Sequence, residues 1–77
     1  MSKRLPAVKP REVISALEKA GWYFHRQKGS HMIMHKAGSP SIIVIPLHTH
    51  DLPRGTLRGI LSDAELGVEE FIKLLRQ

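Results

Sequence analysis

The sequence predicts an α+β domain in which helices cover one face of a three-stranded antiparallel sheet. Three observations carry this. Apolar residues recur at helical spacing near the start and again in the last third of the chain. Between them lie three short runs rich in aromatic, β-branched and methionine residues, separated by glycine and proline. The order is therefore helix, strands, helices, which segregates the helices to one side of the sheet and leaves its other face wet.

Each element follows in order. Residues 1–9 are basic and contain a proline, and read as a mobile arm. Pro10 suits the first position of a helix, where a missing N–H costs nothing. Val13, Ile14, Leu17 and Ala20 form one apolar stripe and Gly21 is a stop, so a helix is expected over Pro10–Ala20. Trp22–Lys28 reads as a strand, with Trp22 and Phe24 turned to the core and Tyr23 and His25 turned out. Gly29-Ser30 supplies a turn. His31–Lys36 is then a second strand, antiparallel to the first, with Met32 and Met34 inward. After the turn at Ala37–Pro40, the β-branched run Ser41–Ile45 is a third strand that Pro46 ends. Leu47–Pro53 reads as a loop. A second helix begins near Pro53 or Gly55 and runs to about Ala64, on the stripe Leu57, Ile60, Leu61 and Ala64. Gly67 separates it from a third, over Val68–Leu75. No internal repeat or low-complexity tract interrupts the chain.

At 77 residues the chain is one domain. A domain of this size buries roughly 60% of the surface its unfolded chain exposes, so its core is thin and cannot enclose a large substrate. An active site must lie on the surface, which favours a polymer substrate. Twelve Lys+Arg against seven Asp+Glu leave a net charge of +5. Such an excess attracts polyanions, with nucleic acid the leading partner and an anionic membrane surface second. Many small basic proteins bind neither. The absence of cysteine excludes disulfides, thiolate metal sites and cysteine nucleophiles, and a small domain without staples suits a reducing cytosol. A cytoplasmic location is expected. The first residues lead into no long apolar run, so neither a secretory signal nor a membrane span is expected.

Three groups of residues could carry chemistry. In Lys28-Gly29-Ser30-His31 a tight turn gathers a cation, a hydroxyl and an imidazole. RNA cleavage needs little more: a base for the 2′-hydroxyl, an acid for the leaving 5′-oxygen, and cations to offset charge on the phosphorane. Histidine suits both proton roles near neutral pH. Lys28 or Arg26 can stabilise the developing charge. The plain alternative is that His31 is an ordinary exposed strand residue. The second group is the histidine set. His31 and His35 share a strand face but stand ~13 Å apart, too far for one coordination shell. His48 and His50 are close enough to chelate, with Asp51 the only third ligand to hand, so no metal and no cofactor are expected. The third group is Pro53-Arg54-Gly55-Thr56-Leu57-Arg58, a helix start whose free N–H groups, with Arg54 and Arg58, could receive phosphate. The plain alternative there is a capped helix with a solvated face.

These residues fall into a familiar pattern. Gln27-Lys28-Gly29-Ser30-His31 after an aromatic strand resembles the hallmark hairpin of HicA toxins. Ala16-Leu17-Glu18-Lys19-Ala20-Gly21-Trp22 resembles their helix-to-strand junction. Ile45-Pro46-Leu47-His48 resembles the end of their third strand, and Gly55-Thr56-Leu57-Arg58-Gly59-Ile60-Leu61 the start of their second helix. Glu70-Phe71 and Leu74-Leu75 are similar to their last helix. The resemblance covers nearly the whole chain beyond the basic residues 1–9. It implies a fold like a double-stranded-RNA-binding domain and a ribosome-independent mRNA endonuclease activity. It also implies neutralisation by a HicB antitoxin, and a catalytic role for the motif histidine, here His31. Lys28, Ser30 and His48 are then expected in support, with Arg54 and Arg58 as further substrate contacts. His35 and His50 match no functional position of the family. A non-catalytic module binding double-stranded RNA by shape is the alternative reading.

Overall fold

The computed structural model describes residues 4–77; Met1, Ser2 and Lys3 lie outside the described residues. The chain forms α1 (Pro10–Lys19), β1 (Trp22–Lys28), β2 (His31–Lys36), β3 (Ile43–Pro46), α2 (Arg54–Ala64) and α3 (Val68–Arg76). The strands make one open antiparallel sheet in the order β1-β2-β3. This is the α+β fold expected, and it fits the double-stranded-RNA-binding-domain-like description with a third helix added.

α1 starts on Pro10, and the Lys9 N–H ahead of it donates to Glu12 Oε1 at 2.9 Å. That bond satisfies one of the N–H groups a helix start leaves open. Val13, Ala16 and Leu17 bury its inner face, and Gly21, at φ 101, ends the helix. α2 buries Leu57, Ile60, Leu61 and Ala64. It closes on Glu65 in the left-handed conformation, φ 57, with Leu66 N–H donating to Leu61 O at 2.9 Å. α3 buries Phe71 and Leu74. It carries Glu69 and Glu70 in its first turn and Lys73 and Arg76 in its last, each opposing the helix dipole. Lys19 of α1 donates from Nζ to the Leu74 and Gln77 carbonyls, tying the two helices.

The core lies between this helical layer and the inner sheet face, which supplies Trp22, Met34, Ile43 and Ile45. Three expectations need correcting. Residues 4–9 are not a free arm. Leu5 and Val8 are each 2% exposed, Leu52 N–H donates to Val8 O at 2.9 Å, and Arg54 Nη1 donates to Leu5 O at 2.8 Å. Burying two apolar side chains, Leu5 and Val8, pins these six residues to the core. Phe24 is 52% exposed, although its partner Met34 is fully buried. At this level the helical layer reaches the central strand but not the edge strand β1. Finally, β3 begins at Ile43 rather than Ser41. The Ser41 N–H bonds the Ser39 hydroxyl at 3.2 Å, so this stretch belongs to a side-chain-closed turn and not to the ladder.

Candidate functional site: the open face of the sheet

The β1–β2 hairpin closes on Gly29 and Ser30, with Lys28 paired to His31. Gly29 has φ 59 and Ser30 is not among the residues of positive φ, the combination of a type II′ turn that wants glycine first. The turn is further held by Gln27, whose side-chain amide donates to Gly29 O at 3.0 Å. From the residue after β3, Leu47 N–H donates to Ser30 O at 2.6 Å, so the turn is held from both sides.

Side chains alternate along a strand and paired residues share a face. In β2, Met32 and Met34 point to the core, so His31, Ile33 and His35 point out. In β1, alternation counted from buried Trp22 would send Phe24, Arg26 and Lys28 inward. Phe24 follows it, opposite Met34, but Arg26 and Lys28 do not. The pairing jumps from Phe24↔Met34 to Arg26↔Ile33, leaving His25 as an extra residue in a β-bulge. The bulge shifts the phase of the strand, so Arg26 and Lys28 join His31 on the outer face. Arg26, Lys28, Gly29, Ser30, His31, Ile33 and Val44 then line one shallow, open depression of about 640 Å³.

The same bulge lays the His25 ring against His35, with centroids 3.9 Å apart and planes 13° from parallel. Tyr23, the cross-strand partner of His35, meets the same ring at 6.4 Å and 59°. The sheet face is thus a cationic, hydroxyl-bearing and imidazole-bearing depression at the hairpin end, continued by an aromatic cluster. Its electrostatics are one-sided. None of the seven acidic residues lies between Trp22 and His50, while that stretch holds Arg26, Lys28, Lys36 and all five histidines.

Of the residues singled out in the sequence, Lys28, Ser30 and His31 come together. His48 does not join them. It lies in a separate groove of about 350 Å³ with Lys9, Pro10, Arg11, Ile14, Leu47 and Thr49. Its Nδ1 meets the His50 carbonyl at 2.8 Å, and its ring stacks on His50 at 4.1 Å. Arg54 and Arg58 sit on α2, in the helical layer behind the sheet. Arg54 holds Leu5 O, and Arg58 lines a groove with Leu5, Leu61 and Val68. The start of α2 is capped by Pro53 without a side-chain hydrogen bond. Among the described residues no three His, Asp or Glu side chains form a metal-holding group, so Asp51 does not complete a set with His48 and His50. What sequence reading missed is the bulge. No residue type in Phe24-His25-Arg26 demands one; only the ladder, held at the turn and at Trp22, reveals the surplus residue.

The site is thus a carboxylate-free, cationic sheet face ending in a Gly-Ser-His hairpin, on a small α+β domain. The family described as HicA toxin of bacterial toxin-antitoxin matches residues 10–66, about three-quarters of the chain. The chain belongs to that family, and is a toxin of a toxin–antitoxin pair. No curated protein matches the chain. Among the described residues no helix is long and apolar enough to cross a membrane.

Proposed function

We propose that this toxin is a ribosome-independent mRNA endoribonuclease that cuts through His31 and is silenced by a HicB-like antitoxin seated over the same hairpin. The observation that carries the reading is the convergence of His31, Ser30, Lys28 and Arg26 on one open depression of a sheet without carboxylates. An RNA strand can lie across such a face, whereas a small molecule would gain little burial there.

In this mechanism His31 takes the proton of a 2′-hydroxyl, whose oxygen attacks the adjacent phosphorus. The bond to the 5′-oxygen breaks, leaving a 2′,3′-cyclic phosphate and a 5′-hydroxyl that takes its proton from water. Lys28 and Arg26 offset the charge of the phosphorane, and the Ser30 hydroxyl donates to a non-bridging oxygen. His48 is given no proton role, since it lines a different groove. Arg54 is given no substrate role, since its guanidinium holds the Leu5 carbonyl. The reaction calls on no metal or cofactor.

The test is induced expression of the wild type beside His31→Ala, with RNA integrity followed in the same cultures and with purified protein. The wild type should arrest growth and degrade mRNA. The variant, losing a general base worth roughly 10²–10⁴ in rate, should do neither. Normal growth with both soluble proteins would sink the enzyme reading and turn attention to a binding module. Arrest by both would remove His31 from the chemistry.

A further inference from the structure

We infer that Tyr23, His25 and His35 form a base-stacking subsite that holds unpaired nucleotides of the RNA strand beside the His31 depression. The inference rests on the RNA reading above and deepens it by naming how the strand is held and in which form.

Three features of the face lead to it. First, the rings stand open on the wet face of the sheet. Tyr23 is 50% exposed and His25 is exposed, so a base can reach both. Second, they are ordered against one another rather than splayed into solvent. His25 lies flat on half-buried His35, and Tyr23 abuts the same imidazole. A ring backed by another ring is a pre-oriented surface, which lowers the entropy lost when a base settles on it. Third, the arrangement depends on the bulge. That one surplus residue brings His25 onto His35 and, in the same step, turns Arg26 and Lys28 to the face of His31. Cations for phosphates and rings for bases therefore share one surface. This is the combination by which single-stranded nucleic acid is held without base-edge readout.

The occupant follows from chemistry. Duplex RNA keeps its bases stacked inside the helix and offers a protein only phosphates, 2′-hydroxyls and groove edges. It cannot use exposed rings. An unpaired strand can, with its backbone along Arg26 and Lys28. His31 and His35 are four residues apart on β2, ~13 Å, a span that a few extended nucleotides cover. The absence of acidic residues from the sheet agrees with a polyanion on this face.

The test measures binding, so that it stands apart from cleavage. A fluorescent single-stranded oligonucleotide with 2′-O-methyl sugars lacks the attacking hydroxyl and stays intact whatever His31 does. Its affinity is compared for wild type, Tyr23→Ala, His25→Ala, Tyr23→Phe and His25→Phe, with a thermal melt of each to confirm folding. Each alanine variant should bind about tenfold more weakly with an unchanged salt dependence, since stacking releases no counterions. Each phenylalanine variant should keep most of the affinity, because it keeps a ring. A single abasic position at the stacked nucleotide should weaken the wild type similarly and add nothing to the alanine variants. A duplex of the same sequence should be indifferent to all four substitutions. Wild-type affinity in both alanine variants overturns the subsite while leaving the RNA reading intact, and assigns these rings to the antitoxin if its binding is lost instead. Failure of the wild type to bind the oligonucleotide at low salt overturns the RNA reading and the subsite together.

Discussion

Gly29 turns the chain at φ 59, and the next two residues are Ser30 and His31, so one backbone conformation aims the proposed chemistry. A Cβ at Gly29 would meet nothing within 4 Å, so the cost of Gly29→Ala lies in the backbone alone, about 1–2 kcal/mol for an L-residue held left-handed. The variant should melt several degrees lower and lose toxicity beyond what its folded fraction accounts for, checked by thermal denaturation beside growth. Gly59 offers the opposite case. It sits exposed inside α2 with open space around it and an ordinary φ. Gly59→Ala should raise stability by about 0.5–1 kcal/mol, because only the unfolded chain loses freedom. A fall in the denaturation midpoint would show that the helix surface at Gly59 is not open. The hairpin turn ahead of His31 was legible at this scale, because Gly-Ser-His within a strand–turn–strand pattern is local. Phe24 was not. Its exposure depends on how far the helical layer extends, which no residue announces.

At the scale of elements, helix ends and one strand irregularity decide what the pieces do. Lys19, in the last turn of α1, donates to the carbonyls that end α3. A cation at that end opposes the helix dipole, so Lys19→Met, which keeps the aliphatic stem, should lower stability by about 0.3–1 kcal/mol at low salt and by less at high salt. Equal stability of variant and wild type in denaturant titrations at low salt would show the contact to be idle. Glu65 closes α2 at φ 57 without the freedom of glycine. The helices and strands themselves were readable within a residue or two, since apolar spacing and glycine–proline punctuation are properties of short windows. The β1 bulge is different. It exists because the Gly29-Ser30 turn fixes one end of the hairpin and buried Trp22 fixes the other, with one residue too many between them on β1. Register is a relation between two strands, so neither strand's sequence states it.

Over the whole molecule, charge is divided by face. Six of the seven acidic residues lie on the helices or in the α2–α3 connection and the seventh, Asp51, in the loop after β3, while the strands hold only neutral and basic side chains. RNA affinity should therefore fall linearly with the logarithm of salt, with a slope of roughly −0.7 per phosphate neutralised on a single strand. Lys28→Ala should flatten that slope by about one phosphate. Arg54→Ala should leave it unchanged and lower the melting temperature instead, because its guanidinium ties Leu5 to the core. Anisotropy titrations between about 50 and 200 mM salt separate the two. If Arg54→Ala flattens the slope as Lys28→Ala does, RNA also touches the helical layer.

By itself the sequence determined the class of fold, the order of its elements, the basic balance and the Gly-Ser-His hairpin. All of these reside in composition, in local periodicity or in a contiguous motif. Tertiary structure alone decided which of the marked residues meet. It turned Arg26 to the Lys28, Ser30 and His31 turn that the sequence already showed, set His48 in a different groove, and committed Arg54 to Leu5. It also created the Tyr23, His25 and His35 cluster, which no motif contains. The physical reason is that a strand's facing is fixed by its partner's hydrogen bonds, and one surplus residue reverses it for everything that follows.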